Sequence, residues 1–215
     1  MMPISIADLR KEYSSQSLLE TDVAASPVTQ FSIWWQQALN SVIDEVNAMT
    51  LATASCDGLP SARIVLLKGF NEDGFVFFTN YKSYKGIQLE ENPKACLVFF
   101  WKELERQIRI MGLVKKVLPE ESDSYFHSRP KYSRIGALAS PQSQVIESRQ
   151  WIDEEFLKLV EEYKDKDPQR PSNWGGYSIK PIIMEFWQGR PSRLHDRIQY
   201  TLEENGEWKI ERLAP

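Results

Sequence analysis

The chain has 215 residues, enough for one sizeable core or two small ones, and its 26 Lys+Arg against 30 Asp+Glu leave a net charge of −4. This balance lacks the basic excess of a nucleic-acid binder, and no apolar run nears the roughly 20 residues of a membrane span. Cys56 and Cys96 form no C-x-x-C pair, and with only His127 and His195 beside them no metal spacing arises, so a reduced, cytoplasmic, metal-free protein is expected.

The N-terminus lacks the basic-then-apolar order of a signal peptide. Ser5-Ile6-Ala7-Asp8 resembles a capping box, which predicts a short helix over 6–13 with Arg10 and Tyr13 on one face. Residues 14–25 are polar and aperiodic, so 1–25 is expected to be a mobile arm ahead of a single domain over 26–215. Ser26-Pro27 then starts an amphipathic helix, with Val28, Phe31, Trp34, Trp35, Ala38, Leu39 and Val42 at helical spacing.

From Ala48 the period changes to two. A strand over 49–54 and a Cys56-Asp57-Gly58 turn lead into Ser-Ala-Arg-Ile-Val-Leu-Leu-Lys-Gly-Phe, then Asn71-Glu72-Asp73-Gly74, then Phe-Val-Phe-Phe-Thr. Two apolar runs around an N-E-D-G turn predict a β-hairpin over 61–79. Further strands are expected over 95–101, 106–117, 177–187, 197–202 and 208–213. Helices are expected over 83–92, 119–128 and 148–163. Sequential hairpins without β-α-β alternation predict a mainly β, antiparallel barrel with added helices rather than a doubly wound fold.

Besides Arg63 and Lys68, four places carry polar residues that a plain barrel does not require, of which the loop pair Gln142-Ser143 is uninformative by itself. Arg63 and Lys68 bracket Ile64-Val65-Leu66-Leu67, and on a regular strand positions five apart face opposite ways. Either one is an end-of-strand surface charge, or the strand passes between two anionic groups. Lys82-Ser83-Tyr84-Lys85-Gly86 opens a helix, where free N–H groups favour an anion. Tyr125 and Arg129, four apart, share a face if the helix continues, and with Ser133 they form a set of phosphate or carboxylate donors. Arg193, His195 and Arg197 alternate after Trp187, so an extended chain projects all three to one face. They form either a solvated strand edge or a site wall that holds an anion or a π system.

The segments R-I-V-L-L-K, F-F-T-N, E-R-Q-I-R-I-M-G, Y-F-H-S-R-P, S-x-I-G-A, W-G-G-Y, E-F-W-Q-G, R-L-H-D-R and E-R-L-A-P occur in this order over 9–215. Together they resemble the pyridoxamine 5′-phosphate oxidase family. The resemblance implies a split β-barrel homodimer with FMN at its interface. It also implies oxidation of pyridoxamine or pyridoxine 5′-phosphate to pyridoxal 5′-phosphate, with O2 reduced to H2O2. Carried over by motif, the FMN site comprises Arg63, Ile64, Val65, Leu66, Leu67, Lys68, Phe78, Thr79, Lys85, Gln107, Gln142, Ser143, Trp187 and Arg197. The substrate site comprises Tyr125, Arg129 and Ser133 at the phosphate, Lys68 also reaching the substrate, Arg193 and His195 as catalytic residues over the ring, and Arg10 and Tyr13 closing over it.

Two positions depart from the family pattern. Tyr84 stands where an Arg usually precedes the Lys of the FMN-phosphate segment, and Val46 stands where Pro is frequent. Two alternatives share parts of the pattern: a flavin oxidase of phenazine biosynthesis, and a non-catalytic flavin- or haem-binding split barrel. The full Tyr125-Arg129-Ser133 set favours a phosphorylated substrate over the first, and Arg193 with His195 speaks against the second.

Overall fold

The computed structural model describes residues 6, 12–14 and 16–215. Its main elements are α1 (Pro27–Leu39), β1 (Ala48–Ala54), β2 (Pro60–Leu66), β3 (Gly69–Asn71), β4 (Gly74–Asn80), α2 (Tyr84–Glu91), β5 (Lys94–Trp101) and β6 (Arg106–Lys116). They continue with α3 (Pro119–Ser128), α4 (Lys131–Ala139), α5 (Arg149–Glu162), β7 (Trp174–Gln188), β8 (Asp196–Leu202) and β9 (Trp208–Arg212). The strands form one sheet in the order β2-β1-β5-β6-β7-β4-β3, with β8 on β7 and β9 on β8. This is the mainly β, mostly antiparallel class with added helices that the hairpin pattern predicts.

The 15 residues of β7 serve two partners. Its first half pairs antiparallel with β4, from Asn80↔Trp174 to Phe75↔Ile179. Its second half pairs with β8, from Ile183↔Thr201 to Gln188↔Asp196. The chain divides into two compact units, one of residues 1–49, 97–111 and 182–215, the other of 50–96 and 112–181. Strands β1, β5, β6 and β7 each contribute residues to both.

In the first unit α1 supplies the aromatic core. The Ser26 hydroxyl accepts from the Val28 and Thr29 N–H groups, and Pro27 occupies the first turn. Phe31, Trp34 and Ala38 are then buried at helical spacing, with Phe31 5.3 Å from Phe99 and Trp34 edge-on to Phe186 at 5.2 Å. The expected periodicity to Val42 does not hold: the helix ends at Leu39, and Val42 is 88% exposed. Arg10 and most of the helix expected over 6–13 lie outside the described residues, while Glu12, Tyr13 and Ser14 are not helical. Of the expected arm, Leu18 is buried, and Arg212 pairs with Glu20 and donates to the Leu18 carbonyl.

In the second unit the expected hairpin is smaller and its partner differs. Only Gly69–Asn71 pairs with β4, whereas β2 lies against β1. The chain leaves strand geometry at Leu67-Lys68, where the Lys68 N–H donates to the Val76 carbonyl at 2.8 Å. The strict alternation argument for Arg63 and Lys68 therefore fails, because the strand ends between them. Gly74 has φ +139°, and a Cβ there would strike Ser178 Oγ and the Ile179 carbonyl, so the turn requires glycine. Helix α4 was not expected. Its nine residues follow Pro130 directly and carry Gly136, and Arg134 anchors it by pairing with Asp167 at 3.2 Å.

Candidate functional site

The residues singled out by motif gather in two clusters. In the second unit, Ile64, Val65, Leu66, Lys68, Phe78, Thr79, Asn80, Lys85, Tyr125, Arg129, Gln142 and Trp174 line a cavity of about 290 Å³. Three cations face it and none of the lining residues is a carboxylate. Local sequence puts each of them there. Ser83 caps α2 by accepting from the Gly86 N–H, which sets Lys85 in the first turn, buried, with Nζ 3.3 Å from Thr79 Oγ1. The Thr79 hydroxyl donates to Gln142 Oε1 at 3.2 Å, so a strand, a helix start and a loop meet in one chain of hydrogen bonds. Burial, with the nearby Arg63 charge, lowers the Lys85 pKa below its ordinary value.

Arg129 is not helical. Pro130 disfavours the helical region for the residue before it, so α3 stops at Ser128 and Arg129 is extended at φ −76°, ψ 148°. The shared-face argument for Tyr125 and Arg129 fails in detail, yet both line the cavity. The Arg129 guanidinium lies 4.9 Å from the Trp174 ring, and its buried Nη1 has no hydrogen-bond partner among the described residues. Burial lowers its pKa, partly offset by Tyr125. Phe78 stacks on Tyr125 at 4.0 Å and on Trp174 at 5.6 Å, giving a flat aromatic wall, with Lys68 Nζ 5.9 Å from the Tyr125 ring.

Arg63 sits beside this cavity. Its guanidinium donates to the Leu51 carbonyl at 3.2 Å, to Thr53 Oγ1 at 2.6 Å and to Ser61 Oγ at 2.5 Å. Tyr84, half exposed at the start of α2, partly offsets the lowering that burial imposes on the Arg63 pKa. Leu67 is buried in the core, and Ser133 and Ser143 are exposed; none of the three lines the cavity.

The second cluster belongs to the first unit. Trp187 packs 4.6 Å from the His195 ring, and Tyr13 is edge-on to both, at 5.7 Å and 5.9 Å. The expected extended run through Arg193, His195 and Arg197 is not present. Pro191–Arg193 forms a single 3-10 turn, with Ser192 at φ 57° and Arg193 at φ 62°, and the strand begins only at Asp196. Arg193 is exposed, whereas His195 is half-buried. The Arg190 N–H donates to His195 Nδ1 at 3.1 Å, so the neutral ring carries its proton on Nε2. Burial first, and the Arg193 charge second, lower the His195 pKa and favour that neutral form at pH 7.

Arg197 is committed to protein partners. Its Nε and Nη2 donate to Glu185 at 2.8 Å and 3.2 Å, and its Nη1 donates to the Ala214 carbonyl at 2.7 Å. Arg109 also pairs with Glu185, whose side chain is 2% exposed. Burial would raise the Glu185 pKa, but the hydrogen bonds and charges of Arg197 and Arg109 prevail and hold it low. Gln107, half-buried on β6, belongs to the same unit.

Sequence reasoning assigned no role to Asn80 or Trp174 in the cavity, nor to Arg106. Trp174 and Asn80 each sit at one end of a quoted motif, W-G-G-Y and F-F-T-N, so the motifs were the available signal. Arg106 is buried, with Nε on Gln188 at 2.9 Å, Nη1 on Gln37 at 2.5 Å and Nη2 on Gln16, and it lies over Trp34 at 4.2 Å. Burial pushes its pKa down to about 10. No local pattern indicates that three glutamines will surround it.

Comparison with known proteins places the chain as a whole in a family. Residues 35–159 match the family described as pyridoxamine 5′-phosphate oxidase, and residues 174–215 match a pyridoxine 5′-phosphate oxidase C-terminal dimerisation region. The chain is 53% identical over 214 residues to a pyridoxine/pyridoxamine 5′-phosphate oxidase of Trichormus variabilis, covering 100% of both chains. It is 54% identical over 212 residues to one of Bordetella petrii, covering 99% of this chain and 100% of that one. Among solved structures it resembles PhzG of Burkholderia lata, crystallised with tetrahydrophenazine-1-carboxylic acid, at TM-score 0.88 and 29% identity over 94% of this chain and 100% of that one. With both family segments matched and more than half of all residues shared along the full length of its relatives, the chain belongs to the pyridoxamine 5′-phosphate oxidase family.

Proposed function

We propose that the protein oxidises pyridoxamine 5′-phosphate and pyridoxine 5′-phosphate to pyridoxal 5′-phosphate, with FMN as bound cofactor and O2 as terminal acceptor. H2O2 is the by-product, with NH3 from the amine. The carrying observation is the cavity that presents Lys68, Lys85 and Arg129 without a lining carboxylate, and leaves a buried Arg129 nitrogen unpartnered. A desolvated, unpaired cation is unfavourable, and a phosphate dianion relieves it with charge-assisted hydrogen bonds. FMN and both substrates carry such a phosphate, so the residues fit these groups.

Bound FMN supplies the hydride acceptor and returns the electrons to O2. The chain's own residues bind and orient. Lys85, Thr79 and Arg63 are assigned to the FMN phosphate, and Ile64 to Leu66, Phe78 and Gln142 to the remainder of the flavin. Lys68, Tyr125 and Arg129 are assigned to the substrate phosphate. Trp187, Arg193 and His195 are assigned to the rings, where neutral His195 offers Nε2–H as a donor and Arg193 a fixed positive charge. Arg197, bound to Glu185, steadies β7 beside Trp187, with which it is paired in register. The dimerisation-region match supports a homodimer, and FMN at its interface is part of the same proposal. The two thiols fit a reducing cytoplasm.

The test is anaerobic mixing of the FMN-loaded protein with pyridoxamine 5′-phosphate. Bleaching of the flavin band, and its return with H2O2 on admitting air, are expected. A flavin that stays oxidised with both phosphorylated substrates overturns the reading. The likeness to PhzG makes unphosphorylated substrates the relevant control. Equal turnover of pyridoxine and its 5′-phosphate would show that Arg129 does not select a phosphate.

A further inference from the structure

Tyr13 and the described residues after it are held by contacts with distant parts of the chain. Its ring lies against Gly189, where a Cβ would meet Tyr13 Cγ at 2.7 Å and Cβ at 2.8 Å, so only glycine leaves room. Gln16 is tied down twice. Its side-chain oxygen accepts from Nη2 of the buried Arg106, and its backbone carbonyl accepts from Arg190 Nη1 at 3.1 Å. On either side of it, the Ser14 N–H donates to Glu105 Oε2 at 2.9 Å and the Leu18 N–H to Asp196 Oδ2 at 3.1 Å.

The partners of these ties are the residues that set the ring cluster. Arg190 gives its own N–H to His195 Nδ1 and its side chain to Asp196 at 3.4 Å. Arg106 holds Gln188, next to Trp187, and the Gly189 N–H donates to the Glu105 carbonyl at 2.8 Å. Through Gln16 the segment bearing Tyr13 is thus tied to Arg190, which also holds the His195 ring, and to Arg106, which also holds Gln188 beside Trp187.

We propose that Gln16 is a positioning residue: by bridging Arg106 and Arg190 it holds Tyr13 against the Trp187–His195 pair. The inference deepens the function proposed above and rests on it for the kinetic arm alone. Gln16 is exposed and its hydrogen bonds go to the two arginines, so its role is indirect and its replacement leaves the core intact. Arg106 keeps Gln37 and Gln188 when the Gln16 amide is removed.

The experiment compares Gln16→Ala and Gln16→Glu with the parent protein. The first deletes the acceptor for Arg106; the second keeps an oxygen there. The readout independent of activity is the NMR titration of His195, one of only two histidines, with exposed His127 replaced by Asn for assignment. The groups around His195 are Tyr13, Trp187, Arg190, Arg193 and Asp196. Losing the Tyr13 ring re-solvates the imidazolium form, so in Gln16→Ala the midpoint should move up toward the ordinary histidine value of about 6.5. Gln16→Glu should restore the parent midpoint.

In steady-state assays the KM for pyridoxine 5′-phosphate should rise several-fold in Gln16→Ala, with restoration in Gln16→Glu. A His195 midpoint unchanged in Gln16→Ala overturns the inference. So does a change that Gln16→Glu fails to reverse. A shifted midpoint in a protein that oxidises neither substrate supports the positioning role and refutes the function instead.

Discussion

Arg129 reports most directly on the phosphate cavity. Replacing it with Ala removes a charge-assisted hydrogen bond worth about 1.5–3 kcal/mol, so KM for either phosphorylated substrate should rise about tenfold or more. Steady-state kinetics with an unchanged KM would make Arg129 a packing residue over Trp174. Lys85 gives a pH signature. Its pKa is lowered in the folded chain, so it loses its proton at a pH below the ordinary lysine value of 10.5. In the ligand-free fold the penalty of the buried charge is fully present below that lowered pKa and gone above 10.5. A phosphate dianion needs the protonated form, so FMN affinity should fall as pH rises from neutrality through the lowered pKa. Fluorescence titrations at several alkaline pH values check this, and Lys85→Arg should flatten the dependence. Tyr84 poses the opposite question. Arg at this position adds a cation near Arg63 and Lys85, which repels in the empty site and attracts once a dianion is bound. FMN binding should tighten about fivefold, close to 1 kcal/mol. Equal or weaker binding would mean that the Tyr84 phenol already serves the site.

Strand β7 carries a residue of each cluster, Trp174 near one end and Trp187 near the other, with Glu185 and Gln188 beside Trp187. Its last turns are held by a buried carboxylate between two guanidiniums. Glu185→Gln leaves Arg109 and Arg197 without a counter-charge, and breaking a buried pair in this way costs about 3–5 kcal/mol. A fall in thermal midpoint on the order of 10 °C is expected for a chain of this size, read by calorimetry. A midpoint unchanged within error would show that the Ala214 carbonyl and solvent satisfy Arg197 without Glu185.

For the molecule as a whole the prediction concerns assembly. Residues 174–215 match a dimerisation region, and Ile64, Phe100 and Ile182 present apolar side chains that are 65%, 54% and 39% exposed. The protein should sediment at twice 25.0 kDa, and FMN should be released as dilution dissociates it. A monomer that retains stoichiometric FMN would remove the interface from the proposal.

Local chemistry alone determined much of this protein. A continuous apolar run marked β5 and period-two alternation marked β6 to within a residue or so, Ser148 capped α5 where the apolar spacing placed a helix, and Pro130 dictated the stop at Arg129. Motif order in the sequence marked Lys68, Thr79, Lys85, Tyr125 and Arg129, all of which line the cavity. Long-range contact decided the rest. Strand β4 finds its partner about a hundred positions away in β7, and β2 turns to β1 instead of closing the hairpin, because pairing is chosen by the packing of Phe75, Phe77 and Ile179. The bend at Ser192-Arg193, which spoils the alternation of Arg193 with His195, is a positive-φ turn on non-glycine residues that no propensity encodes. Arg106 among Gln16, Gln37 and Gln188 is the clearest case: four residues, each unremarkable in its own stretch, become one network only when the fold brings their segments together.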